Sequence, residues 1–298
     1  SALTPALHPE IPLADMQRLT CMLLECGATI HEINTLRKHL SRFSGGSLVR
    51  AAFPATVLGL IVSDVVGDDL DVIASGPTVP DPSTFADCLR VVEHYGLRWK
   101  MPQSIWAHIE GGLQGRTPET PKADEPAFGR VRNVLVASVK QALEGAADEA
   151  ARCGFVPRIL TTAMSGEARR TAAQLVAEAR RAQAGLRPGD APLCLLAGGE
   201  TTVTIRGSGK GGRNQEMALA ATLELADDRG IDLICVGTDG TDGPTDAAGG
   251  YAFSGDLARL RAIGNDSYPL LLKAGTLLRT GPTRTNVMDM AIMLVRPK

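Results

Sequence analysis

Aromatic side chains are scarce in this sequence: they make up 4% of its 298 residues. That leaves little material for a base-stacking surface. A formal net charge of −2 likewise lacks the electrostatic footprint of a protein that binds nucleic acid or an anionic membrane. Cysteine is sparse too. The 6 cysteines, at positions 21, 26, 88, 153, 194 and 235, form no CxxC pair and none lies at metal-ligand spacing from a histidine. Cys194 and Cys235 fall inside apolar runs, where a thiol acts as a small core residue, and a disulfide framework is not expected in a chain of this size. No apolar run approaches the roughly 20 residues that cross a bilayer. The opening SALTPALHPEI lacks the basic-then-apolar profile of a signal peptide, so a cytoplasmic location is expected, with neither nucleic acid nor membrane as partner. Walker A, GxSxG, HExxH and the EF-hand loop are all missing, which removes support for P-loop, serine-hydrolase, zinc-protease and EF-hand readings.

What is present is the balance of a globular α/β protein, 44% hydrophobic and 21% charged. Residues 12–26 read as a helix with Pro12 in its first turn and Gly27 as its stop. Residues 30–43 read as a second helix, with Thr29 and Glu32 placed as a capping box. TVLGLIVS (56–63) has the continuous apolar pattern of a strand covered on both faces, and a helix follows at about 84–95. The segment 114–129, with three prolines and little apolar content, marks a domain boundary. After it, strands at 133–137, 155–160, 192–197, 201–206, 231–236 and about 291–296 are expected, with helices at 139–152, 166–184 and 213–226. Such alternation implies a parallel or mixed sheet covered by helices. The expected organisation is a first domain over 1–130 and an α/β domain over 131–298. One clear strand in the first domain is too few for a self-sufficient α/β unit, so that domain is expected to be incomplete at its N-terminus.

Five constellations carry candidate chemistry. GGETTVTIRGSGKGGRNQEMALA (198–220) predicts a strand, a glycine-rich loop and a helix beginning near Arg213 or Asn214. Glycines admit a ligand close to the backbone, and a helix N-terminus offers unpaired N–H groups to an anion. The alternative is a turn with ordinary cationic decoration. Gly207, Gly209 and Gly212 satisfy GxGxxG, but the next strand-end acid, Asp239, falls beyond the usual ~20 residues for a dinucleotide ribose. CVGTDGTDGPTDAAGG (235–250) places Asp239, Asp242 and Asp246 at the carboxyl end of a strand, where Mg²⁺ or an Asx-turn loop is expected. SDVVGDDLDVIASGPT (63–78) puts Asp64 at a strand end, with Asp68, Asp69 and Asp71 behind it. In INTLRKHLS (33–41), Asn34 and Lys38 share a helix face beside Arg37; the default for such a face is solvent. TGPTRTNVMD (280–289) offers Thr283, Thr285 and Asn286 on a turn.

Taken together, HEINTLRKHLS, SDVVGDDLDVIASGPTVPDPSTFADCL, GGETTVTIRGSGKGGRNQE, GTDGTDGPTDAAGG, NDSY and TGPTRTNV resemble the class II glycerate kinases (glycerate 2-kinases), which carry a MOFRL C-terminal domain and are often labelled hydroxypyruvate reductases. The resemblance covers most of the chain. It implies two dissimilar α/β domains, the first Rossmann-like, with the active site in the cleft between them, and ATP- and Mg²⁺-dependent phosphorylation of D-glycerate to 2-phosphoglycerate. Ser1-Ala2-Leu3 resembles the tail of the family's GGGSAL loop. The family's preceding Gly-Lys motif lies outside these residues, the connection near 259–268 is shorter than usual, and Arg284 stands where GPTGTN has glycine. On this reading Arg213, Asp239 and Lys38 are catalytic. Ser1, Arg37, Gly209, Gly211, Gly212, Asn214, Thr283 and Asn286 bind substrate or phosphate, and Asp64, Asp239 and Asp242 hold the metal. The partners are glycerate and a nucleotide, with a homodimer as one assembly the reading allows. The alternative function is an NAD(P)H-dependent hydroxypyruvate reductase.

Overall fold

The computed structural model describes residues 4–205, 207–225, 228–253 and 266–298. The chain packs as two units, one formed by residues 1–61 and 69–135 and the other by 62–68 and 136–298.

The first unit is built on helices α1 (Leu13–Glu25), α2 (Ile30–His39), α3 (Ser47–Ala52), α4 (Phe85–His94) and α5 (Gln103–Leu113). Pro12 stands at the N-cap of α1, and Gly27, at φ +76°, lets the chain leave it in the left-handed region. The Thr29–Glu32 capping box forms, with Glu32 N donating to Thr29 Oγ1 and Thr29 N donating to Glu32 Oε2. Leu19, Leu23, Leu36, Leu40, Phe85, Ile105 and Ile109 bury themselves between these helices. Gly112 is required there: a Cβ would lie 2.2 Å from the Phe85 ring. Helix α2 stops at His39, short of the expected 43, because Ser41 Oγ accepts from the amides of Phe43 and Ser44 and turns the chain.

Strand β1 (Val57–Val62) pairs with β2 (Val131–Ala137) in a two-stranded sheet. The expectation that β1 is covered on both faces is not met: its burial alternates, and Leu58, Leu60 and Val62 are exposed. Hydrophobicity alone cannot tell a covered strand from one whose second face stays open.

The second unit is a six-stranded sheet in the order β3-β4-β8-β5-β6-β7, with β3 (Val156–Met164) parallel to β4 (Leu193–Gly199). β8 (Asp289–Val295), β5 (Ile231–Gly237), β6 (Gly249–Phe253) and β7 (Leu277–Leu278) run antiparallel to their neighbours. Strand alternation sorts the core. Leu193, Leu195 and Ala197 of β4, with Ala291, Met293 and Val295 of β8, face α7 (Ala168–Ala184) and α8 (Arg213–Glu224). Cys194, Leu196 and Met290 face α6 (Val139–Arg152). β4 is buried on both sides throughout because helices cover both of its faces. Burial holds the thiols of Cys194 and Cys235 above their usual range, so both behave as core residues. The short helix α9 (Ser267–Ala274) closes the β6–β7 end.

The strand expected at 201–206 does not form over its described residues. β4 is already paired on one side by β3 and on the other by β8, so no ladder position remains beside it. Residues 201–205 instead run as a loop held to the start of α7: the Thr202 amide donates to the Gly166 carbonyl, the Ala168 amide donates to the Thr202 carbonyl, and Thr204 donates to the Glu167 carboxylate, with Ile205 exposed. Among the described residues no helix is long and apolar enough to cross a membrane.

Candidate active site

The carboxyl ends of β4 and β5 and the amino end of β8 converge on the N-terminus of α8, all within the second unit. A cavity of about 740 Å³ opens there, lined among others by Glu200, Gly209, Gly211, Gly212, Arg213, Asp239 and Asp242. The loop 207–212 reaches α8 through Gly212, whose position has no room for a side chain. A Cβ would come within 2.3 Å of Asp242 Cγ.

Arg213 opens the helix and is held from two sides. Its Nε and Nη2 donate to Asp289 Oδ2 and Oδ1 at 2.6 and 3.0 Å, and Nη1 donates to Glu200 Oε1 at 2.6 Å. Burial alone would lower its pKa, but the hydrogen bonds and charge of Asp289, followed by the charges of Glu200 and Asp242, raise it further. Asp289 is 1% exposed and also accepts from Asn214 Nδ2 at 2.9 Å. A guanidinium has five N–H groups, so among the described residues these three bonds leave two for a ligand.

Asp242 caps the helix. Its Oδ1 accepts from the Asn214 amide at 3.0 Å, and its Oδ2 accepts from the Gln215 amide at 2.8 Å and from Gln215 Nε2 at 2.9 Å. Gly212, at the N-cap, offers no side chain for this task, so an acid from another loop performs it. Burial raises the Asp242 pKa against the opposing pull of those amides. Each Asp242 oxygen thus already accepts two hydrogen bonds from α8, Oδ1 taking Asn214 Nδ2 as its second donor. Asp239 differs. It is half-buried, and among the described residues its oxygens accept only from Thr241 N and Oγ1, both at 2.9 Å, so lone pairs remain on each. The Asx turn thus forms, and it leaves a carboxylate facing the cavity.

Thr283 ties its loop to the end of β5, its Oγ1 donating to the Thr238 carbonyl and its amide to the Asp239 carbonyl. Asn286 Oδ1 accepts from the Met288 amide, which shapes the approach to β8. Arg284 is exposed at φ +65°. Asp64 is exposed in the segment 62–68 of this same unit, two residues before Val66, which lines the cavity. The structure therefore brings together Gly209, Gly211, Gly212, Arg213, Asn214, Asp239 and Asp242, with Thr283 adjoining. Ser1 lies outside the described residues.

In the first unit, the α2 face expected to be solvated is buried instead. Asn34 is 4% and Lys38 3% exposed. Lys38 Nζ contacts Asp71 and lies 3.5 Å from Asp81 Oδ1, and Asn34 Oδ1 accepts from Ser75 Oγ at 3.0 Å. Arg37 is half-buried beside Ser41 and Ser44 on a separate cavity of about 370 Å³. Sequence reasoning missed Asp289, Glu200 and Asp81 as partners. The one available signal was the acid at the start of the otherwise apolar DMAIMLV, which a buried strand tolerates only when paired.

Residues 1–110 match a domain of unknown function (DUF4147), and residues 193–289 match the MOFRL family. The chain is 46% identical to the glycerate 2-kinase of Pyrococcus horikoshii over all of its own length and 69% of that protein. It is 44% identical to the D-glycerate 2-kinase of Thermotoga maritima, over 96% of this chain and 67% of the relative. The crystal structure of glycerate kinase from Thermotoga maritima superimposes with a TM-score of 0.86 at 43% identity, covering 97% of this chain and 69% of that one. A glycine-rich turn that feeds a guanidinium into a cavity between two acids thus sits in a chain related end to end to these enzymes, and the chain belongs to the glycerate kinase family with a MOFRL domain.

Proposed function

We propose that this chain transfers the γ-phosphoryl group of ATP to D-glycerate, giving 2-phosphoglycerate and ADP. The observation that carries this reading is Arg213 at the mouth of α8, held by Asp289 and Glu200 with two N–H groups unspent among the described residues, beside the amides of Gly211 and Gly212. Phosphoryl transfer asks the protein mainly for positioning and for neutralisation of charge on the equatorial oxygens. Fixed donors in a partly enclosed cavity supply that without reorganising. The substrate hydroxyl oxygen attacks the γ-phosphorus, the bond from phosphorus to the β,γ-bridging oxygen breaks, and the hydroxyl proton leaves to a nearby base or solvent. Asp239, which lines the cavity, would orient that hydroxyl.

A divalent ion of the Mg²⁺ type would supply positive charge that offsets that of the phosphates when bound. Asp239, with lone pairs to spare, and the exposed Asp64 suit its preference for hard oxygens; Asp242, committed to the helix amides, does not. In the first unit, Lys38 is already flanked by Asp71 and Asp81.

The test is a coupled assay with D-glycerate, ATP and Mg²⁺ that follows ADP, run beside NADH consumption with hydroxypyruvate. ADP release that depends on glycerate, with product identified as 2-phosphoglycerate, is expected. Arg213→Ala should lower kcat by about 10²-fold or more while the circular dichroism spectrum stays native. Glycerate-independent NADH oxidation without ADP release would favour the reductase reading and end this one.

A further inference from the structure

Three side chains that the kinase reading leaves unused meet in the first unit: His8, Glu10 and His108. One donor atom from each lies within 4.8 Å of the other two. His108 projects from α5 with its side chain fully buried, and both ring nitrogens are engaged. Nε2 lies 2.9 Å from the His39 carbonyl oxygen, and Nδ1 lies 2.8 Å from Glu10 Oε1. A carbonyl oxygen only accepts, so the hydrogen belongs on Nε2. In a neutral ring, Nδ1 then directs a lone pair at a carboxylate oxygen, and something electrophilic has to sit between them. A proton would serve that pair alone. It gives no role to the second imidazole, His8, whose ring lies 4.4 Å from that of His108, centroid to centroid.

We propose that His8, Glu10 and His108 form a binding site for a divalent transition-metal ion of the zinc type, ligated by His108 Nδ1, a His8 ring nitrogen and a Glu10 carboxylate oxygen. Two imidazoles and one carboxylate make a donor set suited to Zn²⁺, with water in the remaining position. The Nε2–H bond to the His39 carbonyl is the outer contact that fixes the tautomer of a metal-bound histidine. A tetrahedral ion with bonds of about 2.1 Å sets its donors about 3.4 Å apart. The Glu10 side chain, 55% exposed, is free to swing to that spacing. Nitrogen ligands separate this site from the all-oxygen environment that Mg²⁺ prefers. Bound metal would clamp the segment preceding α1 onto α5, and through the His39 carbonyl onto the end of α2.

The intact, nucleotide-free protein is titrated with Zn²⁺ by calorimetry, and its thermal unfolding is followed with and without Zn²⁺. Co²⁺ serves as an absorbance probe. One ion per chain is expected, with Tm raised by about 5 °C or more at a hundredfold excess over Kd. His8→Ala and Glu10→Gln, both outside the helical core, should each fold and each weaken binding by tenfold or more. Absence of stoichiometric binding to the wild type overturns the site and leaves His108 and Glu10 as a proton-held pair. Binding that persists unchanged in His8→Ala, with a thiolate-to-cobalt charge-transfer band, overturns it in favour of cysteine ligation.

Discussion

Replacing Asp289 by Asn tests whether Arg213 is an aimed group or simply a cation near a cavity. Asp289 Oδ1 accepts from Arg213 Nη2 and Asn214 Nδ2, and Oδ2 accepts from Arg213 Nε. An asparagine that keeps its oxygen at the Oδ1 position retains the first two contacts. It then places an NH₂ where Oδ2 stood, donor against donor, 2.6 Å from Nε. One buried charge-assisted bond is lost, about 2 kcal/mol, which lowers Tm by about 4–8 °C in a protein of this size. The guanidinium is then anchored mainly by Glu200 and turns away from its position. A misplacement of about 1 Å costs a phosphoryl-transfer enzyme up to roughly 10²-fold in kcat. Glu200→Gln is the matched comparison, because its carboxylate is 46% exposed and its pairing to Arg213 is that of a surface ion pair. Steady-state kinetics with D-glycerate and ATP, together with differential scanning calorimetry, should rank D289N well above E200Q in both effects. If D289N keeps kcat within twofold of wild type, or E200Q is the more damaging change, Asp289 does not position Arg213.

Gly212→Ala drives a methyl group into Asp242, whose carboxylate is fixed by the α8 amides and cannot step aside. Destabilisation of about 1–3 kcal/mol, read as a lower urea midpoint, is expected together with loss of activity. Glu119 gives a pH signature. Its burial favours the neutral acid, but the Phe85 amide, the charges of His39 and Lys122 and the His39 hydrogen bond outweigh it and hold its pKa below the usual carboxylate value. A depressed folded pKa contributes stability that is present above the unfolded pKa and lost as pH falls through the folded one. The Tm difference between wild type and Glu119→Gln should therefore be largest near neutral pH and shrink below about pH 4.5. A difference independent of pH would show that Glu119 acts only as an uncharged hydrogen-bond acceptor.

Much of this molecule could be read from residue order alone. The capping box at Thr29, the stop at Gly27, the helix at Val139–Arg152, the strand β4 and the glycine-rich entry to α8 all depend on propensities and periodicities that act within a few residues. The same local rules failed where the outcome depended on a distant neighbour. Residues 201–205 have a strand-like composition, yet β3 and β8 had already taken both edges of β4. Lys38 looked like a surface residue until Asp71 and Asp81 buried it. Arg213 was visible as a cation at a helix start, but the acid that aims it lies 76 residues further on, and the one that caps its helix lies 28 residues beyond Asn214. Chemistry-bearing residue types were thus set by the sequence, because backbone turns and helix ends are local. Which acid pairs with which cation was decided by tertiary structure, because a buried charge is stable only where the fold delivers its partner.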